Sequence, residues 1–148
     1  MASLYLLQFH NAAKAADCLN IAIDIDRRRV AQNPGDAVAK MDLTLGQSYM
    51  AALLQRKGEL PAAQRLYEST ISVRKELLAV DSQNYRLRFL LVTDYARLGD
   101  LLRLEKNAAG ARAVYREGLE MALPLAPKAD ADPDALKTIA ELRKKAAE

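Results

Sequence analysis

Gly58–Tyr67, GELPAAQRLY, decides the reading of this chain, because its ten positions return at Lys106–Tyr115 as KNAAGARAVY and, more faintly, at His10–Leu19 as HNAAKAADCL. Each block stands 48 residues from the next. The equivalence runs past the blocks: Leu53 and Leu54 align with Leu101 and Leu102, Ile71 with Ile23, Val73 with Ile25, Leu78 with Val30, and Asp81 with Asn33. A fixed period of this size marks a stacked repeat protein, in which each unit buries its apolar face only against its neighbours. Such a pattern predicts an architecture and a mode of action rather than the identity of a partner.

Composition agrees with an all-α chain. Ala and Leu dominate the apolar residues, with two Phe, six Tyr and no Trp; these are strong helix formers, and the β-favouring residues are sparse. The net charge of +3 comes from 22 basic and 19 acidic side chains spread evenly along the chain. Nucleic-acid binding needs a concentrated basic stripe, which this distribution lacks. Cys18 is the sole cysteine, so no intramolecular disulfide and no zinc spacing is available, in keeping with a reducing, cytoplasmic setting. The first residues lack the basic head and long apolar run of a secretory signal. No stretch approaches the roughly 20 uninterrupted apolar residues of a membrane span.

Punctuation divides the chain into a truncated first repeat (1–33), a second (34–81), a third (82–129) and a capping helix (130–148). Helices are predicted over 12–32, 37–57, from shortly after Gly58 to about 80, 85–104, 108 to about 125, and 134–145. NPGD at 33–36 and DSQN at 81–84 separate repeats, supplying helix stops and caps for the helices that follow. Gly58 sits where a left-handed residue is needed to end a helix. So short a turn forces its two helices antiparallel. The expected inward positions include Val38, Met41, Leu45, Tyr49 and Leu53 in one helix, and Phe89, Val92, Tyr95, Leu98 and Leu101 in another. Asp24 and Arg28 are spaced for an i,i+4 ion pair. Ala2–Phe9 matches only the last turns of a first helix, so the chain reads as a fragment of a longer solenoid. Leu4, Tyr5, Leu7 and Phe9 would then form an apolar end face suited to self-association.

The helix pairs, the alanine-rich start of each second helix and the recurring Tyr resemble the tetratricopeptide repeat. The matching positions are Leu98, Gly99, Leu102, Lys106, Ala111, Tyr115 and Gly118 in the third unit. In the second they are Met50, Ala51, Leu54, Gly58, Ala63, Tyr67 and Thr70. The period of 48 exceeds the usual 34, so both helices are about two turns longer. This is similar to elongated repeats of bacterial multidomain signalling proteins. The resemblance implies a right-handed α-solenoid of about six helices. It also implies a groove lined by first helices that holds a partner peptide or helix.

Catalytic constellations are poorly supported. His10 is the only histidine and falls on the turn position equivalent to Gly58; Cys18 has no second histidine to activate it. Asp130, Asp132, Asp134 and Glu141 have calcium-loop spacing, but Ala135 stands where the sharp turn needs Gly. No metal, cofactor or catalytic residue is therefore assigned. Positions carried over to the groove are Ser48, Gln55, Arg56, Thr93, Arg97, Asp100 and Arg103. The arginines favour an acidic segment of a protein partner. The expected function is a non-enzymatic protein-interaction module of a larger bacterial signalling or regulatory protein, with homodimerisation through the N-terminal apolar face as the alternative.

Overall fold

A computed structural model describes residues 12–125 and 133–148. Among these residues lie six α-helices, one short 3-10 turn and no strand. The helices are α1 (Ala12–Gln32), α2 (Ala37–Lys57), α3 (Leu60–Val80), α4 (Tyr85–Leu104), α5 (Ala108–Ala122) and α6 (Pro133–Ala147). The end face Leu4, Tyr5, Leu7 and Phe9, together with His10, Asp130 and Asp132, lies outside the described residues. Two compact units divide the chain between Val73 and Arg74, within α3.

The helix ends reproduce the 48-residue spacing bond by bond. The Ala39 amide donates to Asp36 Oδ1 at 2.9 Å, and the Leu87 amide donates to Asn84 Oδ1 at 2.9 Å, each capping a first helix. At the other end of α2, Gly58 adopts φ 81°. Its amide donates to the Gln55 carbonyl, and that of Glu59 reaches back to Leu54. At the end of α4 the equivalent Lys106 adopts φ 62°, its amide donates to Arg103, and Asn107 reaches back to Leu102. These are the bonds that satisfy carbonyls left open at a helix C-terminus.

In the first unit, Leu19 and Ile23 of α1 meet Met50 and Leu53 of α2, with Leu66 of α3 packed alongside. Arg29 ties α1 to α2, donating to Asp26 at 2.8 Å and to Asp42 at 2.9 Å. Asp24 pairs with Arg27 rather than the expected Arg28, across 3.5 Å. On α2 the expected stripe is displaced: Val38 is 65% exposed, while Ala39, Thr44, Ser48 and Ala51 are buried with Met50 and Leu53. Small side chains, two of them hydroxylic, occupy positions that hydropathy alone assigns to large ones. The Thr44 hydroxyl donates to the Met41 carbonyl of its own helix, which lets it enter the interior at low cost.

In the second unit, α4, α5 and α6 pack around Leu91, Val92, Tyr95, Leu98, Leu101, Tyr115, Ile139 and Leu142. A Cβ at Gly99 would overlap the Tyr115 ring, so this glycine sets how closely α4 and α5 approach. The ring fills the space that the missing side chain leaves. The second helix of this unit ends at Ala122, and Leu123–Leu125 forms a 3-10 turn instead of continuing to 125. Pro124 lacks the amide hydrogen and restricts the residue before it, which stops regular helix here. On α6 the inward stripe is Ala135, Ile139, Leu142 and Ala146, and Leu136 turns outward.

One ion pair of the second unit is fully interior. Arg74 Nη1 donates to Asp94 Oδ2 at 2.6 Å and to the Leu90 carbonyl at 3.0 Å, with both side chains buried. Removing one member of such a pair strands a charge away from water. Asp94→Ala is therefore expected to cost about 3–5 kcal/mol in urea unfolding. The double replacement Arg74→Met with Asp94→Leu should recover most of that loss; a double variant no more stable than Asp94→Ala would refute this account. At the α4 end, Lys106→Gly removes a side chain from a left-handed backbone position. It should stabilise the protein by about 1 kcal/mol, and an unchanged urea midpoint would contradict it.

Candidate functional site

The seven positions carried to the groove do not share one environment. Ser48 is 2% exposed and belongs to the packed interior of the first unit, out of reach of a peptide lying on the surface. This corrects its place among the contact residues: a serine is small enough to be buried where helices approach closely. Gln55 is half-buried and accepts the Tyr67 phenol at 3.2 Å. Arg56 is exposed beside it in sequence, in the last turn of α2 and two residues before the Gly58 stop.

In the second unit Thr93 is half-buried and donates to the Phe89 carbonyl at 2.9 Å, so its hydroxyl is engaged by its own helix. Arg97 is half-buried. Asp100 and Arg103, near the C-terminus of α4, converge with α5 and α6. Arg103 lines a cleft of about 140 Å³ with Ala108, Ala111, Arg112, Tyr115, Lys145 and Glu148, and Asp100 bonds two of these residues, Tyr115 and Lys145.

The cleft is organised by one carboxylate oxygen. Asp100 Oδ1 accepts the Tyr115 phenol at 2.6 Å and pairs with Lys145 Nζ at 2.6 Å. The Lys145 ammonium also stands 5.6 Å from the centre of the Tyr115 ring, near enough for a cation–π attraction. At the rim, Arg103 Nη1 lies 3.1 Å from the Glu148 carboxylate, and Arg112 Nη1 is 3.5 Å from the Glu148 main-chain oxygen. Both members of the Arg103–Glu148 pair are about half exposed, and water-screened pairs of this kind hold only about 0–1 kcal/mol. At the rim, then, one guanidinium holds the Glu148 carboxylate at an exchangeable strength, and a second reaches the main chain of the same residue. Sequence reading found Asp100 and Arg103 but not Arg112, Lys145 or Glu148. These three come from helices without a groove role in the repeat, and only folding brings them to the end of α4.

Among the described residues no three His, Cys, Asp or Glu side chains gather as a metal site. Asp134 lies in the first turn of α6, and Cys18 is half-buried on α1. No helix among them is long and apolar enough to cross a membrane.

Two tyrosines of this unit titrate late. Burial, then the neighbouring Glu117 carboxylate, pushes the Tyr95 phenol up to about 12. Burial first, and the hydrogen bond to Asp100 second, raises Tyr115 further, with Arg103 opposing. Both neutral phenols favour the folded chain below the ordinary tyrosine value of about 10, and that contribution is lost as pH rises through the folded-state values. Stability should therefore fall above about pH 10. Absorbance at 295 nm should show late-titrating phenol, with one equivalent removed by Tyr95→Phe and another by Tyr115→Phe. Phenols that all ionise together near pH 10 while the protein stays folded would contradict this.

Comparison of the chain with protein-family models, with curated proteins and with solved structures returns no match.

Proposed function

We propose that this chain is a non-enzymatic protein-interaction module, built as an elongated tetratricopeptide-like solenoid within a larger signalling or regulatory protein, that binds an acidic peptide or helix along its first helices α2 and α4. The observation that carries the reading is the carboxylate of Glu148 held at the end of α4 by Arg103, a contact of the kind a partner's Asp or Glu would make. The 48-residue recurrence of caps and helix-end bonds supports a repeat architecture. Repeats of this kind present extended surfaces to other chains. One histidine and one cysteine in the whole sequence leave little material for nucleophilic or acid–base chemistry. On this reading Gln55 and Arg56 in the first unit, and Arg97, Asp100 and Arg103 in the second, are contact residues. Ser48 drops out by burial, and Thr93 contributes its methyl group rather than its hydroxyl.

A displayed library of random 12-residue peptides tests the reading. Peptides retained by the wild type should be enriched in Asp and Glu, and Arg56→Glu with Arg103→Glu should weaken their binding at least tenfold while the melting temperature stays nearly constant. Retained peptides without acidic bias, or binding indifferent to both substitutions, would remove this surface from consideration.

A further inference from the structure

Helix α1 turns two large aliphatic side chains away from its own core. Ile21 and Ile25 are 62% and 53% exposed, whereas Leu19 and Ile23 are 2% and 6%. At about 100° per residue, Ile21 and Ile25 lie about 40° apart and about 160° from Ile23, so they share a face opposite the one packed on α2.

The internal repeat shows that this exposure is a property of the position. Ser69 of α3 and Glu117 of α5 occupy the place equivalent to Ile21, and both are exposed. The first helices that precede them, α2 and α4, leave that place open to water. A polar residue stands there in the second and third repeats; only the first carries an isoleucine. Ile25 corresponds to Val73 and Met121, which are half-buried. Ile21 thus holds a place that the later repeats leave open, and Ile25 beside it is exposed here although its equivalents are partly covered; together they form an aliphatic pair that calls for a cover from another molecule.

We infer that α1 pairs with α1 of a second copy of this chain, antiparallel, through Ile21 and Ile25. Charge on the flank selects that partner and that direction. Asp17, Asp24 and Arg28 lie along one side of the isoleucine pair, all exposed. A two-fold axis through the helix near residue 23 sets Ile21 against Ile25 of the second copy and lays the charged flank against its own reverse. Asp17 of each copy then faces Arg28 of the other, giving two symmetric ion pairs. A parallel pairing would instead set the charged flank against Cys18 and Ala22. The contact is small, as befits a weak and reversible dimer. It is independent of peptide binding along α2 and α4, and it differs from self-association through residues 4, 5, 7 and 9.

Sedimentation equilibrium of the full chain under reducing conditions, from about 10 µM to 1 mM, tests it. The wild type should pass from monomer to dimer. Ile21→Ser with Ile25→Ser, both at exposed sites, should leave a folded monomer throughout, at least tenfold weaker in association. Asp17→Arg alone and Arg28→Asp alone should each weaken the dimer, and the two together should restore it. A wild type monomeric at every concentration overturns the proposal. So does a dimer indifferent to both serine substitutions, which would place the interface elsewhere. Charge exchanges that fail to compensate overturn the antiparallel arrangement.

Discussion

The structure depends on a reversal of chain direction made by a single residue in the left-handed region. At Gly58 the backbone folds back, so that α2 closes with two recurved hydrogen bonds and α3 starts two residues later. Lys106 performs the same reversal between α4 and α5 despite carrying a side chain that disfavours it. Helices of 15 to 21 residues joined by so short a turn have no choice but to lie antiparallel. The apolar faces of each hairpin are thereby committed to one another before any longer-range packing is decided.

Within the hairpins, closeness is set by small residues and filled by tyrosine. Gly99 admits the Tyr115 ring to the surface of α4, and the ring in turn delivers its hydroxyl to Asp100. The same residue therefore serves packing and the cleft. Buried on one side, the phenol remains neutral and acts as a hydrogen-bond donor, leaving the Asp100 carboxylate to hold Lys145 as well.

Function on such a scaffold resides in what its outer faces carry. Arg56 and Arg103 stand at equivalent ends of α2 and α4, one residue out of register with each other across the 48-residue repeat. The α1 face offers Ile21 where the positions 48 and 96 residues on carry serine and glutamate.

Most helix bounds were legible in the chain because they are local: Asp36, Asn84 and Gly58 act on backbone groups within a few residues of themselves, whereas the stop ahead of Pro124 came three residues earlier than expected. The repeat spacing was equally plain, since it needs only self-comparison. What hydropathy missed was the burial of Thr44, Ser48, Arg74 and Asp94, and the outward turn of Val38, Leu123 and Leu136. A polar side chain enters the interior only when a partner from another turn or another helix satisfies it, as Asp94 does for Arg74 twenty residues away. That pairing is a property of three-dimensional neighbours. The sequence by itself determined where helices begin and end, while tertiary contact decided which of their faces are hidden and which side chains remain to meet another molecule.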